Sequence, residues 1–126
     1  MSTIVSQATR RTLDHFEPEA ELDPLAQRKL RGHLEQIDYA AYAANREVVA
    51  KGLGHTNLDR FKHLAVAAAH ARAKWVSAAV TMTEASTQLT PDQISNLATL
   101  RRGFEELSEA YEAMRRMVER GYLPFR

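Results

Sequence analysis

Apolar residues recur every three or four positions along three long stretches of the chain, which is the spacing of one face of an α-helix. In residues 24–53 the row is Leu30, Leu34, Ile37, Ala41, Ala44 and Val48. In residues 58–88 it is Leu58, Phe61, Ala65, Ala68, Ala71, Trp75, Ala78, Met82 and Ala85. In residues 91–120 it is Ile94, Leu97, Phe104, Leu107, Tyr111, Met114 and Val118, with Arg101 interrupting. Each stretch is ~45 Å long if helical throughout.

Turn chemistry bounds all three. Asp23-Pro24 reads as an N-cap followed by proline in the first turn. Gly52-Leu53-Gly54 stops the first helix, because glycine takes the left-handed conformation freely, and Thr56-Asn57-Leu58-Asp59 starts the second. Thr90-Pro91-Asp92-Gln93 has the residues of a capping box. Gly121, with Pro124 close behind, ends the third. Residues 1–20 are expected to form a shorter amino-terminal helix, using Val5, Ala8, Leu13 and Phe16, and an acidic connector broken at Pro18.

The fold expected is therefore all-α: a single domain over residues 1–126, an antiparallel bundle of three long helices plus a shorter N-terminal helix. The seams have a coiled-coil-like repeat that favours shallow crossing angles. Folding the helices back at residues 53–58 and 88–91 sets Trp75 level with Ile37 and Phe104, and Met82 level with Leu30 and Leu97, as two core layers. The middle helix carries a second apolar row, Val66, Ala69, Ala73, Val76 and Val80. A band that wide calls for more than one neighbour. The tail Gly121–Arg126 holds Tyr122, Leu123 and Phe125, and is expected to fold back on the bundle.

Composition narrows the function. Lys plus Arg is 17 and Asp plus Glu is 16, so the net charge of +1 offers no field to gather nucleic acid or an anionic membrane. There is no cysteine, which excludes disulfides, thiolate catalysis and iron–sulfur ligation. No stretch approaches the roughly 20 apolar residues of a membrane span. The basic pair Arg10-Arg11 follows the short apolar run at the amino end instead of preceding it, unlike a signal peptide. A cytoplasmic protein is expected.

The five histidines lack the spacing of metal ligands. No Glu-x-x-His occurs, and His63 and His70 stand about 10.5 Å apart along one helix, too far for one ion. No metal and no cofactor are expected. His70 suggests a different chemistry. Small helical phosphotransfer domains present a reactive histidine mid-helix with a lysine at three residues and a small residue next. Here Lys74 follows at four and Trp75 comes next, so relay through a phosphorylated His70 is an alternative reading without family membership. Leu30-Arg31, Ile37-Asp38, Arg46-Glu47 and Lys51 offer the residue types of helical chorismate mutases. The interval from Asp38 to Arg46 is too short for carboxylate-clamping arginines to converge, so there is no match.

What remains is surface. The first half of the middle helix is nearly one-signed: Arg60, Lys62, His63, His70, Arg72 and Lys74 against Asp59. Glu105, Glu106, Glu109 and Glu112 form an acidic face on the third helix. The reading is a non-enzymatic adaptor, chaperone-like or assembly protein acting through protein–protein contacts, with Arg60, His63, His70, Arg72 and Lys74 meeting the partner. The partner is another protein or a second copy of the chain in a homo-oligomer, and neither nucleic acid nor membrane. A further alternative is a small-molecule binder with an inter-helix pocket near Tyr39, Tyr42 and His70.

Overall fold

A computed structural model of the chain describes residues 23–126. The expected N-terminal helix and acidic connector lie outside them. Three long helices form: α1 Pro24–Leu53, α2 Leu58–Ala85 and α3 Pro91–Glu119. Among the described residues there is no β-strand, only an isolated parallel bridge between Thr56 and Phe125. The chain divides into two compact units, Met1–Ala40 and Ala41–Arg126.

The local signals act as their chemistry dictates. Asp23 Oδ1 accepts the Ala26 N–H at 2.8 Å, and Asn57 Oδ1 accepts the Arg60 N–H at 2.9 Å. At α3 the box is reciprocal: the Gln93 N–H donates to Thr90 Oγ1 at 3.1 Å, and the Thr90 N–H donates to Gln93 Oε1 at 2.9 Å. Gly54 and Gly121 take φ of 73° and 77°. At Gly121 a side chain would also meet the Tyr42 hydroxyl, 3.4 Å from where a Cβ would stand. α2 ends at Ala85 and not at residue 88, because Ser86 turns extended and its hydroxyl accepts the Gln88 N–H at 3.2 Å. Lys51 pairs with Glu47 on α1 at 3.2 Å, and Arg101 with Glu105 on α3 at 3.6 Å.

In the described part of the first unit, the apolar row of α1 is open. Leu30 is 47% and Ile37 62% exposed. In the second unit, α2 and α3 form an antiparallel hairpin. Trp75 stacks on Phe104 with centroids 6.0 Å apart, as the register required, and Phe61 meets Tyr111 edge-on at 5.5 Å. The tail folds back as expected. Leu123 is 2% exposed, Phe125 reaches the Phe61 ring at 6.4 Å, and Tyr122 meets Tyr42 at 5.7 Å.

Thr56 is the unexpected centre of this end. It is fully buried. Its N–H donates to the Pro124 carbonyl at 2.8 Å and its carbonyl accepts the Arg126 N–H at 3.0 Å. Its hydroxyl donates to Met114 Sδ at 3.3 Å. Only Thr56, Met114 and Leu123 are buried among the described residues.

Leu123→Ala should therefore lower the stability of the second unit by about 2–5 kcal/mol. Leu25→Ala, at an exposed site, should change it by no more than about 0.5 kcal/mol. Urea denaturation followed by the fluorescence of Trp75, the only tryptophan, makes the comparison.

Candidate protein-interaction surface

The cationic strip lies on the second unit, carried by α2. Helix geometry sets Arg60, His63, Ala67, His70 and Lys74 on one line, since each step is three or four residues. Contacts then divide the expected residues. The Arg60 guanidinium turns back and donates through Nη1 to the carbonyls of Leu53 at 3.1 Å and His55 at 2.7 Å. It closes the α1–α2 loop by satisfying one carbonyl at the end of α1 and one just beyond it. Arg72 lies 4.7 Å over the Phe104 ring and lines the α2–α3 groove with Ala65, Ala68, Ser108, Tyr111 and Glu112. Its charge is engaged in a cation–π contact between helices.

His63 and His70 are placed otherwise. With Asp59, Lys62, Val66 and Ala67 they line a shallow groove on α2. Lys74 follows one turn after His70 and is exposed. His63, His70 and Lys74 make no hydrogen bond or ion pair among the described residues, so their polar atoms face outward. The groove is mixed in character: an imidazole at each end and the apolar wall of Val66 and Ala67 between. Tyr42, expected near a pocket with His70, packs on Tyr122, while Tyr39 is exposed. No set of three His, Asp or Glu side chains among the described residues could hold a metal ion.

Beside the groove runs the second apolar row of α2. Sequence periodicity identified it, and among the described residues Val66, Val76 and Val80 are all exposed. Of the described helices, none is long and apolar enough to cross a membrane.

Comparison with protein families, curated proteins and solved structures finds no match for the chain. The site is therefore read from its own chemistry.

These contacts order the residues by role. Arg60→Ala should cost about 1 kcal/mol, because two carbonyls lose a charged donor at a surface position. His63→Ala, His70→Ala and Lys74→Ala should each stay within about 0.5 kcal/mol. Thermal melts of the four variants measure the contrast, and a larger loss at either histidine than at Arg60 would reverse the assignment.

Proposed function

We propose that the chain is a non-enzymatic assembly module, an adaptor or chaperone-like protein that works by offering the outer face of α2 to another protein chain. The observation that carries this reading is the open row Val66, Val76 and Val80 beside the His63–His70 groove. A contiguous apolar row bordered by unpaired polar groups is the composition of a recognition surface. Arg60 and Arg72 support the surface from within: one closes the loop ahead of α2, the other fastens α2 to α3. His63, His70 and Lys74 make the contact.

Phosphate acceptance at His70 is the second reading. Its support is an exposed imidazole with Lys74 one turn along the helix, where an ammonium could steady a phosphoryl group. The two readings part on one variant, His70→Gln, which keeps the shape and removes the nucleophile.

Under the assembly reading, Val76→Glu should abolish stoichiometric capture of the partner while the melting temperature stays within a few degrees. His70→Gln should retain most of the capture, and phosphoramidate should leave no phosphate on the unmodified chain. Capture unaffected by Val76→Glu would sink the reading. Stable phosphorylation that His70→Gln removes would replace it with signal relay.

A further inference from the structure

The open row on α2 has a symmetry that specifies its partner. Val66 is 54%, Val76 48% and Val80 49% exposed, with Ala69 and Ala73 between them. Exposed valines do not serve the helix itself, because β-branched side chains lower its propensity. Steps of three and four along the row are those of a two-stranded coil seam. The row continues to Lys62 at one end and Glu84 at the other. Lys62 and Glu84 each lie eleven residues from Ala73, and Val66 and Val80 each lie seven. These two pairs are therefore equidistant from Ala73 and the charges at the two ends are opposite, while Ala69 at four residues and Val76 at three depart from the symmetry by one position.

Glu84 adds a second reason for a partner. It stands in the last turn of α2, which contains no basic residue. The carbonyl end of a helix disfavours a carboxylate and calls for a cation.

From this arrangement we infer that a second copy of the chain covers the row, the two α2 helices packing antiparallel about a two-fold axis at Ala73. Val66 then faces Val80 of the second copy, and Lys62 supplies the missing cation to Glu84 of the second copy, at both ends alike. The alanines at the middle let the helix axes approach to about 8 Å. A parallel pairing would set lysine against lysine and glutamate against glutamate. Asp59 and His63 flank Lys62, and His70 and Lys74 flank the centre; all four lie beside the row and not on it. The inference rests on the assembly reading and names its partner.

The absence of cysteine makes single-cysteine variants clean reporters. Ala73→Cys should form a disulfide-linked dimer under mild oxidation. Val66→Cys alone and Val80→Cys alone should not, because equivalent sulfurs stand roughly 20 Å apart, yet an equimolar mixture of the two should cross-link. Light scattering of the unmodified chain should give about twice 14.2 kDa. Lys62→Glu and Glu84→Lys should each raise the dissociation constant about tenfold, and the double variant should restore it. Cross-linking of Val66→Cys alone as fast as Ala73→Cys overturns the antiparallel arrangement. A dimer that is insensitive to Val76→Glu overturns the choice of face. A one-chain mass at every concentration overturns the second copy; the assembly reading then survives if a different protein is captured stoichiometrically through Val76, and fails with it if none is.

Discussion

Two backbone hydrogen bonds tie the tail of the chain to the loop between α1 and α2, and the second unit is organised around them. Thr56 donates to Pro124 and accepts from Arg126, at 2.8 and 3.0 Å. A residue with no exposure must satisfy its peptide groups internally, and the tail is what satisfies these. In doing so it brings Leu123 into the interior and sets Phe125 against Phe61. Met114 closes the space below through its contact with the Thr56 hydroxyl. Tyr122, carried along, gives Tyr42 of α1 a ring to pack against. The other end of the hairpin, at Ser86–Thr90, depends on the caps of α2 and α3 instead of a buried cluster.

That distribution explains why the surface of α2 is available. The helix spends its bulky residues, Phe61 and Trp75, on α3 and presents valine and alanine elsewhere. Alanine-rich seams pack closely but bury little area per residue, so one partner helix does not exhaust a band as wide as this one. The arginines nearest the hairpin are drawn into it, Arg60 toward loop carbonyls and Arg72 onto Phe104. The histidines and Lys74, one face further round, are left to solvent. The proposed assembly role rests on this division of one helix between holding the fold and offering an unfilled row.

Much of this was legible in the chain itself. The cap residues Asp23, Asn57 and Thr90, and the glycines at 54 and 121, set the helix ends through contacts spanning a few residues, which any reader of the order can trace. The pairing of Trp75 with Phe104 followed from equal rises on either side of a short turn. The second row of α2 was visible as a period, and the tail as three apolar residues in need of cover. The strip of cations was visible too, though not its division: a guanidinium finds its acceptor in space, and Arg60 and Arg72 look alike along the chain.

The order of residues thus determined where the helices begin and end and which faces are apolar, because caps, glycine dihedrals and the 3.6-residue period are local properties. Only the tertiary structure decided which apolar faces meet. It buried Thr56, which reads as an ordinary helix-start residue, because Met114 of α3, 58 residues away in the chain, and the tail residues Pro124 and Arg126, further still, supplied its hydrogen-bond partners. It left Leu30, Ile37 and the α2 valines open, because burial depends on a neighbour arriving and not on the side chain's own character.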